Sequence, residues 1–220
     1  MLKKIHLLIF PLLFLTGCLN YEQTTQVYIN GSGVMNIKYQ MHYADSLVLE
    51  NMQKIGLFDK DSIISSFNYP FIEMIKAETS IDSTDSSMHA EIEFKFNNID
   101  SLNYTKFFEN FHFSYKDGAP GQKLFSQFIP SVATGYGYEL KDYNVKFAYK
   151  FSGEIIAHNA KEIKNNYLIW DYNLSEIGQG KTISVTIRPY KIDQTPVWIY
   201  IAAGVVLVVV AFFLLKKKRD

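Results

Sequence analysis

The side chains that most often carry out chemistry in proteins are few and widely spaced in this chain. Its one cysteine, Cys18, excludes an intrachain disulfide and argues against a thiol-based active site. The five histidines, at positions 6, 42, 89, 112 and 158, lack a spacing such as His-x-x-x-His. Asp59 and Asp61 resemble the start of a calcium loop, but Ile64 and Pro70 replace its glycine and its bidentate glutamate. We therefore predict no metal site and no cofactor, since a zinc site would have to assemble across the fold.

Catalytic and nucleic-acid-binding signatures are equally scarce. No nucleophile elbow, phosphate loop or dinucleotide fingerprint occurs, so we predict that the protein is not an enzyme. Two carboxylates could still converge in space, and an enzyme of envelope polymers is our last-ranked alternative. The 22 basic and 22 acidic residues balance over the whole chain, but six basic residues and a single acidic one lie in the two terminal segments, which leaves the centre net acidic. We exclude nucleic acid as a partner, because phosphate neutralisation dominates that affinity.

The N-terminal segment has the parts of a secretory signal. Two lysines precede a mostly apolar run from Ile5 to Leu15, and small residues follow. The order Leu15-Thr16-Gly17-Cys18 resembles the lipobox of bacterial lipoproteins, which implies lipidation of Cys18 and removal of residues 1–17. An ordinary signal anchor with a chance cysteine is the alternative.

The C-terminal segment is apolar and ends in a basic cluster. Residues 197–215 carry no charge, and as a helix they would rise roughly 28 Å, close to the hydrocarbon thickness of a bilayer. We predict a transmembrane helix over 196–215 and a basic cytoplasmic tail over 216–220; a buried core helix is the alternative. Residues 18–195 are then an extracytoplasmic domain on the outer face of the cell membrane. The acyl anchor and the helix both contact this membrane.

The central region alternates apolar and polar residues with period two in three segments, which indicates half-buried strands. These segments are 89–96, 144–151 and 182–187. Asn30-Gly31 predicts a hairpin between two apolar runs, and 82–86 predicts a second that pairs 71–80 with 88–97. Short helices are expected over 46–55, 61–67 and 100–108, with a long connection over 116–140.

This order of elements predicts an α+β fold, an antiparallel β-sheet with helices packed on one face. Residues 141–188 could instead form a separate β subdomain, but no linker divides them from the rest, so we expect one compact unit.

The overall layout resembles the LppM-like bacterial membrane lipoproteins. Within the domain the likeness rests on Phe151-Ser152-Gly153-Glu154-Ile155 and on Asn165-Asn166-Tyr167-Leu168-Ile169-Trp170. The resemblance implies an envelope protein for which lipid binding has been proposed, and it supplies no catalytic residue.

Residues 118–138 combine glycines with aromatic and aliphatic residues. Glycines permit movement and exposed aromatics suit membrane interfaces, so this segment is our candidate for lipid or membrane contact. A core helix followed by a turn is the alternative. The candidate contact residues are Leu124, Phe125, Phe128, Ile129, Tyr136 and Tyr138.

The sequence as a whole favours a membrane-tethered binding module for a lipid or another envelope component. A tether raises the local concentration of membrane ligands, so modest affinity suffices. The alternative is a structural or assembly protein that docks onto other envelope proteins through its sheet edges.

Overall fold

The computed structural model describes residues 20–43, 46, 49, 50, 54, 56–131, 144–189 and 197–216. The signal peptide and Cys18 lie outside the described residues, as do Tyr136, Tyr138 and most of the basic tail. The predicted helix over 46–55 is only partly within them.

Eleven strands account for most of the described domain, whose own helices are short, and a 20-residue helix lies near the C-terminus. The helices are α1 (Lys60–Ser66), a 3₁₀ helix (Ile99–Tyr104), α2 (Leu174–Ile177) and, near the C-terminus, α3 (Val197–Lys216). The strands are β1 (Asn20–Val27), β2 (Gly33–His42), β3 (Ile72–Asp82), β4 (Ser87–Phe96), β5 (Ser114–Asp117), β6 (Lys123–Ile129), β7 (Asn144–Phe151), β8 (Glu154–His158), β9 (Glu162–Lys164), β10 (Tyr167–Asn173) and β11 (Lys181–Arg188).

The strands form two sheets. The seven-stranded sheet has the order β3-β4-β2-β1-β7-β10-β9, and the four-stranded sheet has the order β5-β6-β11-β8. All described pairs are antiparallel except β1 with β7, which is parallel. Because β7 pairs with β1 and β11 pairs with β6, residues 144–188 share both sheets with the earlier part of the chain.

Both predicted hairpins are confirmed. In the first, Gly31 has φ +83° and donates its backbone N–H to Tyr28 O at 2.9 Å, a conformation that favours glycine. Gly33 opens β2 where a Cβ atom would lie 2.1 Å from the carbonyl oxygen of Gln26, so a larger residue would clash. In the second, β3 and β4 pair over Ile72↔Phe96 to Asp82↔Ser87, as the sequence predicted.

The core has two parts, both on the inner face of the seven-stranded sheet. Under β2 and β4, α1 and the segment after the 3₁₀ helix supply Phe67 and Phe108, whose rings lie 4.9 and 6.3 Å from that of Phe94. Under β7, the four-stranded sheet supplies Phe125, whose ring lies 4.8 Å from that of Tyr149. A single apolar layer therefore joins the two sheets and the short helices.

The prediction of an α+β fold is wrong, because the domain is mostly β and its helices are too short to form a layer. The predicted connection over 116–140 contains β5 and β6, joined by a tight turn in which Gly118 donates to Gln122 O. The sequence did not predict β6, because the polar residue Gln127 takes an inward position and interrupts the alternation of apolar and polar residues.

The prediction of a C-terminal transmembrane helix is not supported. Within the described ranges, no helix combines the length and the apolar character that a membrane crossing requires.

Candidate functional site

The outer face of the seven-stranded sheet is polar, and its charged residues lie opposite one another. The strand register places one residue from each of six neighbouring strands in a single row across the sheet. We call this row, together with Lys76, which lies two residues before Glu78 on β3, the charge ladder. Its members are Asp171, Lys146, Glu22, Lys38, Glu91, Lys76 and Glu78. The sign alternates from Asp171 to Glu91, whereas Glu78 lies directly opposite Glu91 and Lys76 forms ion pairs with both carboxylates.

Ion pairs connect most neighbours in the charge ladder. Lys146 Nζ lies 2.7 Å from Glu22 Oε1, and Lys38 Nζ lies 3.2 Å from Glu91 Oε1. Lys76 Nζ lies 2.7 Å from Glu91 Oε2. Opposite charges that face each other across strands stabilise a sheet modestly, which explains why this face tolerates exposure to water.

Glu91 is the most strongly perturbed carboxylate on this face. A hydrogen bond from Lys76 is the main cause, with further bonds from Asn36 and Lys38, and together they lower the pKa of Glu91 from 4.5 to about 2. The bond to Glu22 likewise raises the pKa of Lys146. Glu91 is therefore ionised at neutral pH and is unsuited to act as a general acid.

A concavity of about 790 Å³ opens on the same face, at the end where β1 begins. Beside the charge ladder it is lined by a second row of uncharged polar side chains, and Lys60 contributes from the start of α1. We call this site the polar concavity. The residues of its second row are Asn144, Asn20, Gln40, His89 and Ser80. Amide groups offer both donors and acceptors beside fixed charges of both signs, a combination that suits a polar ligand.

A serine–histidine pair lies near this site but is not arranged for catalysis. Ser87 Oγ lies 2.7 Å from His89 Nε2 and 2.5 Å from Asp85 Oδ1. The one hydroxyl proton goes to the Asp85 carboxylate, so the serine accepts from His89 instead of donating to it. Ser87 is also fully buried, and no substrate could reach it.

The predicted lipid-contact residues divide between core and surface. Phe125 and Ile129 point inward from β6 and are 0% and 3% exposed, respectively. Leu124 and Phe128, on the other face of β6, are partly buried. Tyr136 and Tyr138 lie outside the described residues, so contact with a membrane through this set stays a prediction.

The described histidines do not come together. His42 and His89 lie on the outer face of β2 and β4, whereas His158 ends β8 in the other sheet and His112 follows the 3₁₀ helix. Among the residues that the structure describes, no group of three or more potential ligands could hold a metal ion.

Sequence reasoning recognised the polar positions of individual strands but missed the site that they form. His89, Glu91 and Lys146 already stood out as the polar members of alternating segments. Their common row depends on strand order and register, in particular on the pairing of Glu22 with Lys146, 124 residues further along the chain.

Over the described residues, these features define a two-sheet β protein whose seven-stranded sheet has a polar outer face. No protein-family model matches the sequence, and no curated protein matches it. Among solved structures, the fold is similar to the NMR structure of the folded domain of the Mycobacterium tuberculosis LppM protein. The TM-score is 0.47 at 12% identity, over 81% of this chain and 94% of that chain. This is consistent with an LppM-like fold, and a likeness of this degree carries no argument about ligand or activity.

Proposed function

We propose that the protein is a cell-envelope lipoprotein, attached to the membrane through Cys18, whose domain is a non-enzymatic binding module. Its ligand is a polar envelope component, with a lipid headgroup as the leading example. The observation that carries the proposal is the polar concavity, an open site of about 790 Å³ with fixed charges of both signs.

The chemistry of the lining favours a headgroup over an acyl chain. The side chains that reach the outer face here are carboxylates, ammonium groups, amides and an imidazole. Tyr21 and Tyr39, from the neighbouring inner row, also belong to the lining, and of these Tyr39 is buried and Tyr21 is partly buried. A ligand with both an ammonium and a phosphate or hydroxyl groups would find complementary partners in this site.

The position of the concavity also fits attachment through Cys18. Strand β1 begins at Asn20, which lines the concavity, so the site starts two residues after the proposed lipidated cysteine. Two extended residues span only about 7 Å. An anchor at Cys18 would hold this end of the sheet close to the headgroups of the membrane, where the effective concentration of ligand is high.

The test uses water-soluble probes, because a lipid anchor would insert into vesicles by itself. We would titrate the full-length protein in detergent micelles with glycerophosphoethanolamine and, separately, with a soluble peptidoglycan fragment, by calorimetry. The double variant Gln40→Ala/Asn144→Ala should weaken the bound probe about tenfold, the loss expected for one or two hydrogen bonds. The control variant Thr24→Ala/Gln26→Ala lies on the same face of β1, beyond the concavity.

Binding of the first probe would identify a headgroup ligand, and binding of the second a glycan ligand. If wild-type protein binds neither, or if the control variant loses as much affinity as the double variant, the polar concavity is not the binding site.

A structural role in assembly is the second candidate, and the length of strand β3 favours it. This edge strand has 11 residues and, among the described strands, pairs only with β4. The edge of β3 that pairs with no described strand could accept a strand from another protein.

A further inference from the structure

The four edge strands of the described domain differ greatly in length. Strands β9, β5 and β8 have 3, 4 and 5 residues, whereas β3 has 11. Natural β proteins shorten their edges, because a row of unpaired backbone groups recruits other strands. A long edge that is kept therefore calls for a partner.

A bulge divides β3 into two parts. The register with β4 shifts between Met74 and Lys76, which leaves Lys76–Asp82 as a regular run of seven residues. Bulges protect the part of an edge in which they occur, but this run continues regularly past the bulge. Ile81 lies within it and is 47% exposed, which is high for an isoleucine in a strand.

The run from Lys76 to Asp82 is complementary to itself. If a second copy pairs antiparallel about a twofold axis at Thr79, Lys76 faces Asp82 of the second copy, and Ile81 faces its Ala77. Thr79 faces Thr79 of the second copy, a favourable cross-strand pair. Two oppositely charged pairs and two apolar pairs then form by symmetry, as an isologous interface requires.

Neighbouring registers lack this complementarity. An axis at Glu78 places that carboxylate opposite itself, and an axis at Ser80 places Glu78 opposite Asp82 of the second copy. Like charges directly opposite each other destabilise a strand pair. Charge therefore favours the axis at Thr79 over both adjacent registers.

Lys76 can take part without giving up its existing contacts. Its ammonium group lies 2.7 Å from Glu91 Oε2 and 3.0 Å from Glu78 Oε2. An ammonium group has three N–H donors, so one remains for Asp82 of the second copy.

We propose that two copies of this chain dimerise through β3, which joins their seven-stranded sheets into one continuous sheet. The partner is a second copy because the complementarity is symmetric. The proposal gives the edge-docking alternative a specific partner, and it does not depend on the ligand of the polar concavity.

Cysteine cross-linking of the full-length protein in its membrane tests the proposal. A Thr79→Cys variant places two cysteines at the twofold axis, with Cα atoms about 4.5–5.5 Å apart, within the range for a disulfide. Mild oxidation should convert most of it to a disulfide-linked dimer. The control is Ile163→Cys on the short edge strand β9, a site that is 58% exposed.

Charge reversal then tests the register. Adding Asp82→Lys to Thr79→Cys places two lysines opposite each other and should reduce the cross-linked fraction about fivefold. Adding Glu73→Lys makes the same charge change in β3 outside the paired run and should leave the yield unchanged. Equal cross-linking of Thr79→Cys and Ile163→Cys, or a yield that Asp82→Lys does not reduce, would overturn the proposal.

Discussion

Strand β1 carries Gln23 on the inner face of the seven-stranded sheet and Glu22 on the outer face, and the two have opposite surroundings. Gln23 is fully buried, and its amide donates to Tyr149 Oη at 2.6 Å. Glu22 pairs with Lys146 at 2.7 Å, and both side chains are about two-fifths exposed. Neighbouring positions of one strand thus hold polar groups in a dry and in a wet environment.

The buried side belongs to a small polar network between the two sheets. Tyr149 donates to Gln127 Oε1 at 2.5 Å, and Gln23 accepts from Tyr21 at 3.0 Å. Among the described residues, Gln127 Nε2 has no hydrogen-bond partner. Buried hydrogen bonds are costly to break, because the groups left behind cannot turn to water. We therefore expect the inner network to contribute more to the packing of the sheets than the outer charge ladder, which can exchange partners with water.

The largest expected effect comes from the apolar part of the inner face. Phe125→Ala should lower the free energy of unfolding by about 3–5 kcal/mol, because it leaves a cavity beside Tyr149 and Phe151. Urea denaturation monitored by circular dichroism measures the change. Phe128→Ala, on the partly exposed side of β6, should have a clearly smaller effect. Equal losses for both would show that the two faces of β6 do not differ.

Removal of one hydroxyl group from the inner network should have the next largest effect. Tyr149→Phe deletes the donor to Gln127 and the acceptor for Gln23, and should lower the free energy of unfolding by about 1–3 kcal/mol. Tyr21→Phe is the matched control, because it loses a single bond at the margin of the network. A change of a few tenths of a kcal/mol in Tyr149→Phe would mean that the network is not a determinant of packing.

The outer face should respond to acid. Ion pairing lowers the pKa of Glu91 from its ordinary value of 4.5 to about 2. The contribution of Glu91 to the free energy of unfolding is therefore complete above pH 4.5 and is lost as the pH falls towards 2. Glu91→Gln should remove this part of the pH dependence, about 1 kcal/mol or less for a solvent-accessible pair. Denaturation midpoints between those pH values measure it, with Glu93→Gln as a control on the same face. If the pH dependence of the wild-type protein persists in Glu91→Gln, it arises from other groups.

The smallest effect concerns the coupling of a single outer pair. A double-mutant cycle of Lys146→Met and Glu22→Gln should give about 0.2–1 kcal/mol at low ionic strength. The coupling should decrease at about 1 M salt, where screening extends over only about 3 Å. If salt does not change the coupling energy, this pair is less accessible to water than the exposed fractions of its side chains imply.

Local patterns in the sequence predicted the hairpins and several strands, but they did not predict the fold class. Asn30-Gly31 specified a turn by its backbone chemistry, and the alternation in β4 identified its two faces. Strand β6 was missed because the polar residue Gln127 occupies a buried position, where its amide oxygen accepts a hydrogen bond from Tyr149. For the candidate site, the sequence identified some polar positions of the row through Glu91. It gave no indication that these positions share one row.

The sequence by itself determined which residues alternate, where the chain turns back and where a lipid anchor is expected, because these depend on neighbours within a few positions. Only the tertiary structure decided that β1 lies between β2 and β7, an arrangement that places Glu22 beside both Lys38 and Lys146. Strand order joins residues more than a hundred positions apart, and it follows from how two sheets and short helices share one core. The charge ladder and the polar concavity exist only once that order is established.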